Sequence, residues 1–316
     1  MPRIAVTGSV AFDTIMAFDG RFGDHILPGK THLINVSFLV QHLDRRRGGT
    51  GANIAYTLAL LGEQPVLCAA VGNDFAHYGA ALEHAGVDVS ALLHDERLGT
   101  ATAFITTDLD NNQITAFYPG AMGRAAEVDL SRLPDASHVV VSPDAPDAMA
   151  RHIEQSLAAG CRLVFAPAQQ LTSLPDPVLL AGLDAAWLVL GNDYEMELIR
   201  QRTGRSAADL AAAGAVVATT HGAAGSELRH GGETVTVPAA APDEVVDPTG
   251  AGDAYLAGVL SGLVHERGLA AAGRLGALAA TYVVERAGTQ AHSFTAAEFA
   301  ARHVRAFGSE PVIAGQ

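Results

Sequence analysis

From about residue 137 onward the chain alternates between short runs of branched apolar residues and longer amphipathic stretches. This rhythm limits the fold more than any other feature. Strands are expected at 137–142, 162–166, 186–190 and 215–220, with helices at about 144–159, 175–182, 193–202 and 206–213. Strand–helix alternation at this spacing requires parallel strands joined by crossover helices. The expected result is a mostly parallel sheet with helices on both faces, a three-layer α/β/α architecture. A first strand over Ile4 to Ser9 and a unit formed by strand 65–71 and a helix from about Phe75 to His84, closed by Gly86, follow the same pattern. Near the C-terminal end the pattern predicts a hairpin, 226–230 with 233–237, turned by Gly231-Gly232. Helices follow at roughly 252–266, 269–285 and 295–307, with a loose tail after Gly308.

Two stretches break the rhythm. Residues 12–47 contain no helical period, and Ile15, Ala17, Phe18, Leu33, Ile34, Val36, Phe38 and Val40 fit extended ribbon. Residues 99–118 hold two Thr-rich alternating runs around the turn cluster Asp108-Leu109-Asp110-Asn111-Asn112, which reads as a β-hairpin. Together these form a small β-sheet lid, contributed by about 12–46 and 99–118, on a single α/β domain spanning 1–316.

Net charge is −14, which argues against nucleic acid or an anionic membrane as a partner; Arg45-Arg46-Arg47 is too short a run to change that. Cys68 and Cys161 both lie in apolar runs and read as buried thiols of a reducing compartment. The start, Met1 to Val6, reads as a strand rather than a targeting segment, and no charge-free apolar run is long enough for a membrane helix. A cytoplasmic protein is the expectation.

The chemistry concentrates in Asp247-Pro248-Thr249-Gly250-Ala251-Gly252-Asp253, read as a strand-like Glu244-Val245-Val246, a tight turn and the opening of an apolar helix. A glycine turn feeding a helix presents unpaired amides and a positive dipole end to an anion. A carboxylate beside such a nest, Asp253, has the makings of a general base, although Asp247 and Asp253 could equally be helix caps. Other polar clusters recur at strand ends, where α/β sheets bind ligands: Ser9 with Asp13, Gln169-Gln170, Asn192-Asp193-Tyr194-Glu195, and Thr220-His221-Gly222-Ala223-Ala224-Gly225. Gly48-Gly49 allows close backbone approach to a ligand, and Asn53 can both donate to and accept from hydroxyls.

Three of these motifs, in this order on a βαβ chain with a β-lid, resemble the ribokinase-like (PfkB) carbohydrate and nucleoside kinases over almost the whole length. They are Arg47-Gly48-Gly49 through Asn53, the NxxE-type Asn192 to Glu195, and Asp247 to Asp253. The resemblance implies ATP-dependent phosphoryl transfer to a hydroxyl. Asp253 would be the base, and the amides of Gly250, Ala251 and Gly252 the anion hole. Asn192 and Glu195 would organise Mg²⁺ through waters. Thr220, Gly222 and Gly225 would form the nucleotide-phosphate loop, with Ala277 at the adenine wall. Asp247, Thr249 and the carbonyls of 286–288 would hold a monovalent cation such as K⁺. An obvious Lys clamp for the phosphates is absent, so helix dipole and cations must carry that charge.

On the acceptor side the chain is similar to adenosine kinases and archaeal broad-specificity nucleoside kinases. Ser9, Asp13, Gly48, Gly49 and Asn53 would grip the ribose. Phe104 and Phe117 would stack the base, and Gln169 with Gln170 would read its edges. This implies transfer to the 5′-hydroxyl of a nucleoside, adenosine first. A kinase for a free sugar, ribose or fructose, and a catalytically silent nucleoside-binding relative are the alternatives. Lids of this kind often pair between subunits, so a homodimer through the lid is a further expectation.

Overall fold

The computed structural model describes residues 2–26, 35–133 and 135–308. Its main sheet has eight strands, in spatial order Glu233–Val237, Ser226–His230, Val216–Thr220, Ala186–Asn192, Arg162–Phe165, Ala136–Val141, Arg3–Thr7 and Gln64–Cys68. The last six run parallel to one another, and the C-terminal hairpin adds two antiparallel strands at one edge. Strand side chains alternate between faces, so each strand feeds two cores. Ile4, Val6, Val140, Leu188 and Ala218 enter one core with Leu58, Tyr255 and Leu260. Their neighbours Ala5, Val139, Val141, Val189 and Val217 enter the other with Met149, Ile153, Leu179 and Ile199. Helices therefore cover both faces, as the alternation requires.

The lid is a four-stranded sheet in the order Val40–Gly48, Ala11–Phe18, Ala101–Thr107 and Gln113–Tyr118. Ala11–Phe18 pairs antiparallel with Val40–Gly48 and parallel with Ala101–Thr107. The lid thus unites both irregular stretches.

Four local expectations need correction. The 65–71 run is two strands: after Cys68 the chain leaves the main sheet, and Ala70–Val71 pairs with Leu93–His94. The 12–47 stretch contains a short helix, Phe22–His25, because Phe22 packs on Phe18 and Phe38 and its amide donates to Asp108 at 3.0 Å; Leu33, Ile34 and the tail beyond Gly308 lie outside the described residues. Glu244-Val245-Val246 is not a strand, since the amides of Val246 and Asp247 both donate to the helix-terminal carbonyl of Val284. Cys161 precedes its strand and is half-buried, whereas Cys68 is fully buried; neither is in a disulfide. No described helix is long and apolar enough to cross a membrane.

Helices Ala251–Val264 and Leu269–Val284 lie almost backbone to backbone. A Cβ on Gly258 would fall 2.6 Å from the Gly276 backbone, and one on Gly262 would fall 2.6 Å from Ala272 Cα. This glycine–alanine seam holds the helix that carries Asp253. Gly258→Val should therefore lower the unfolding free energy by about 3 kcal/mol despite valine's normal place in helices, the upper end of ordinary overpacking costs. Urea titration would show this as a lower midpoint at unchanged slope.

Candidate active site

The Asp247–Asp253 turn is shaped by Gly250, which sits at the helix N-cap with φ of 82°. A Cβ there would be 2.9 Å from the Thr289 side chain, so both space and backbone conformation demand glycine. Two cavities meet at this turn. One, about 600 Å³, is lined by Ser9, Asp13, Gly49, Asn53, Glu195, Gly250, Gly252 and Asp253 among others. The second, about 320 Å³ and mainly apolar, is lined by Thr220, Gly222, Gly225, Ala251, Gly252 and Ala277 among others. Gly252 borders both, so the helix N-terminus faces the junction between them. The Ala251 amide donates back to the Pro248 carbonyl at 3.2 Å and so is already engaged within the turn.

Asp253 is half-buried in the first turn of that helix. Burial pushes its carboxyl up to about 7; a hydrogen bond from Asn53 Nδ2, at 2.8 Å, acts in the opposite sense, and the nearby Glu195 charge adds to the rise. A carboxyl poised near neutrality is what a general base at physiological pH requires. The Asn53 side chain is engaged within the protein. Its amide nitrogen serves Asp253, while Oδ1 accepts from Thr289 Oγ1 at 2.8 Å and Gln290 Nε2 at 2.9 Å. Asn53 is therefore tied to Asp253 through one Nδ2 proton while still lining the cavity.

Asp13 lies on lid strand Ala11–Phe18. A Cβ on Gly48 would come within 2.6 Å of its carboxylate, so Gly48 leaves room for Asp13 rather than touching the cavity itself. Burial raises the Asp13 carboxyl, with Arg46 opposing and Asp247 reinforcing. Gly49 at φ 93° lets the chain pass against the Ser9 carbonyl and the Ala11 amide. Ser9 Oγ accepts the Thr50 amide at 3.1 Å and so anchors the start of helix Thr50–Leu60.

The two phenylalanines do not form a pair. Phe117 is opposite Ala103, which is opposite Asp13, so all three share the face toward the cavity. Phe104 pairs with Thr14 and Ala116 and points to the other face. Gln170 lines the cavity with its amide already engaged: its Nε2 donates to the Asp144 carbonyl at 2.7 Å, and its Oε1 accepts from Ser173 Oγ. Gln169 remains exposed at the cavity. Met122, Ala168 and Thr289 line the cavity without having been anticipated. Ala168, at φ 41°, is one of three described non-glycine residues with positive φ, and its position beside Pro167 was the only available signal.

Asn192 and Glu195 form a reciprocal capping box at helix Asp193–Thr203, with Glu195 N to Asn192 Oδ1 at 2.8 Å and Asn192 N to Glu195 Oε2 at 2.9 Å. The cap engages one Glu195 oxygen, Glu195 lines the larger cavity, and Asn192 is the strand partner of Thr220. Asp247 accepts the amides of Thr249 at 2.9 Å and Gly288 at 3.2 Å. Burial raises its carboxyl, but these bonds and Arg46 outweigh burial and hold it below the usual range. With one amide on each oxygen, it ties the loop and keeps a further acceptor site on each.

A family model described as pfkB family carbohydrate kinase matches residues 1–296. The chain belongs to the pfkB family of carbohydrate kinases. This pfkB-family kinase is 30% identical over 315 residues, 98% of each chain, to a protein of Methanothermobacter thermautotrophicus named nucleoside kinase. A relative of Halopiger xanaduensis named ATP-dependent ribose-1-phosphate kinase is 29% identical over 246 residues, 74% of this chain and 80% of the other. Among solved structures, the nucleoside kinase of Burkholderia thailandensis in complex with ADP-inosine is 37% identical with a TM-score of 0.85, covering 99% of this chain and 98% of that one.

Since Asp253 must be ionised to take a proton, kcat of the kinase should rise with pH through about 7 and level off above it. Asp253→Asn should abolish turnover while nucleotide binding, followed by thermal shift, persists. Near-wild-type turnover in that variant would remove Asp253 from the mechanism.

Proposed function

We propose that this kinase transfers the γ-phosphoryl group of ATP to the 5′-hydroxyl of a purine nucleoside, adenosine or inosine. The observation that carries this reading is the content of the larger cavity. It holds Asp13 and Ser9 for sugar hydroxyls, Phe117 and Met122 as an apolar wall, and Asp253 near the amides of Gly250 and Gly252. Its volume of about 600 Å³ exceeds what a free pentose fills. The Burkholderia relative's inosine complex supports the same class of acceptor.

In the reaction, Asp253 accepts the 5′-hydroxyl proton as the new O–P bond forms and the bond from the γ-phosphorus to the β–γ bridging oxygen breaks. The Gly250 and Gly252 amides receive charge on the phosphoryl oxygens. The adenine of ATP would lie in the apolar cavity against Ala277, with its phosphates directed by the Thr220, Gly222 and Gly225 loop. The free Glu195 oxygen and the Asn192 side chain suit Mg²⁺ held through waters, and bound Mg²⁺ would neutralise the β- and γ-phosphates. Neither cavity is lined by Lys or Arg among the described residues, so these elements supply the positive potential.

That charge pattern also selects the acceptor. Asp13, Glu195 and Asp253 in one cavity repel an anionic acceptor such as a sugar phosphate, and favour a neutral one. ADP release should therefore be fastest with adenosine or inosine, slower with ribose or fructose, and negligible with ribose 1-phosphate. Ribose outpacing every nucleoside would overturn the reading. Phe117→Ala should raise KM for the nucleoside about 5- to 150-fold, the range of one lost base–aromatic stack, and leave KM for MgATP unchanged.

The lid supports a homodimer. Its outer face carries Leu43, Phe104, Ile114 and Tyr118, exposed by 65, 42, 47 and 42%. A sheet face on which these apolar side chains alternate with Thr14, Thr102, Thr106 and Arg45 fits the same face of a second copy. Sedimentation should report a dimer that Leu43→Glu combined with Ile114→Glu converts to a monomer.

A further inference from the structure

A directed chain of hydrogen bonds runs from the glycine motif of the lid to the base. Tyr78 Oη donates to the Gly48 carbonyl at 2.7 Å. That carbonyl can only accept, so the hydroxyl proton is fixed on it, and the Tyr78 oxygen is left to accept from Gln290 Nε2 at 2.5 Å. The second Nε2 proton goes to Asn53 Oδ1 at 2.9 Å. With its oxygen held there, Asn53 must present Nδ2 to Asp253 Oδ2 at 2.8 Å. Thr289 Oγ1 has one proton and two acceptors in reach, Asn53 Oδ1 and the Arg47 carbonyl, so it cannot set the amide's direction alone. Gln290 Oε1 is buried and finds no donor among the described residues.

We propose that Gln290 and Tyr78 are positioning residues, which fix the direction of the Asn53 amide so that it always donates to Asp253 and holds that carboxylate ready to accept the substrate proton. This rests on Asp253 as the base of the proposed kinase reaction. A flipped Asn53 would turn its oxygen toward Asp253 and disfavour the ionised form. The chain of hydrogen bonds begins at Gly48, the residue whose missing Cβ makes room for the Asp13 carboxylate.

The substitutions that test this leave the other charges in place. Glu195 and Asp13 share the cavity with Asp253, and Arg46 and Asp247 act on Asp13. Arg47, Asp13 and Asp253 act on Tyr78. Gln290→Met removes the donor at similar volume. Tyr78→Phe keeps the ring contacts with Phe12 and Phe75, at 5.4 and 5.3 Å, and removes only the hydroxyl. Each should move the acid limb of kcat to higher pH by about half a unit or more, a loss of about threefold on that limb that recovers at pH 9, with KM for MgATP unchanged. Because Tyr78 acts through Gln290, the double variant should shift no further than Gln290→Met alone. Ser261→Ala removes a buried hydrogen bond to Glu63 remote from the site, and should keep the wild-type limb even where it lowers the melting temperature. Wild-type limbs in Gln290→Met and Tyr78→Phe, alongside an inactive Asp253→Asn, overturn the positioning role and leave the base assignment standing. An active Asp253→Asn overturns both. Should Gln290→Met fail to fold, the limb of Tyr78→Phe decides.

Discussion

The hydrogen bond from Asn53 to Asp253 joins positions 200 residues apart, and the geometry of the site depends on it. Asn53 stands on the helix that opens behind Gly49, and Asp253 on the helix that opens behind Gly250. Both glycines adopt positive φ, and both helices begin where the chain turns too tightly for a side chain. The bond aligns two helix N-termini across one cavity. It also counters part of the desolvation that drives the Asp253 carboxyl upward, so burial and one donor together leave that group near neutrality.

Precision at the second helix comes from the absence of side chains. Gly258, Gly262 and Gly276 bring Ala251–Val264 and Leu269–Val284 into backbone contact, while Gly273 sits against Leu228 and Val237 of the edge hairpin. Helix, helix and sheet are thereby stacked without slack, and the amides of Gly250 and Gly252 are fixed by the same seam. A preorganised nest needs no reorganisation when negative charge develops, which is where such donors contribute most.

The layers and the lid were legible because they follow from periodicity, and the anion turn because glycine spacing is local. Partner choice and facing were not. In the lid hairpin, Phe104 is paired with Ala116 and Phe117 with Ala103, so a one-residue offset puts the two rings on opposite faces. Nothing in the residues 108–112 fixes that register in advance. Gln170 and Asn53 looked like free amides, but hydrogen bonds tie them to the Asp144 carbonyl and to Asp253, contacts created only by tertiary packing. Tyr78 and Gln290 gave no motif at all, since one reads as a helix core residue and the other as part of a turn. The Glu244 to Val246 run had strand composition, yet the nearest acceptor was a helix end.

The larger cavity combines three carboxyls with no basic side chain among its described lining residues, in a family of kinases that handles phosphate. The arrangement is coherent because the carboxyls are not equivalent. Burial raises Asp13, Glu195 and Asp253, and the Glu195 charge raises Asp253 further, so the proposed base is kept from ionising too readily. A lysine in the cavity would lower the Asp253 carboxyl and weaken it as a proton acceptor. It would also attract phosphorylated sugars into the acceptor position. In the proposed reaction, base strength and preference for a neutral acceptor therefore have one physical origin, and a change that adds positive charge to this cavity would erode both together.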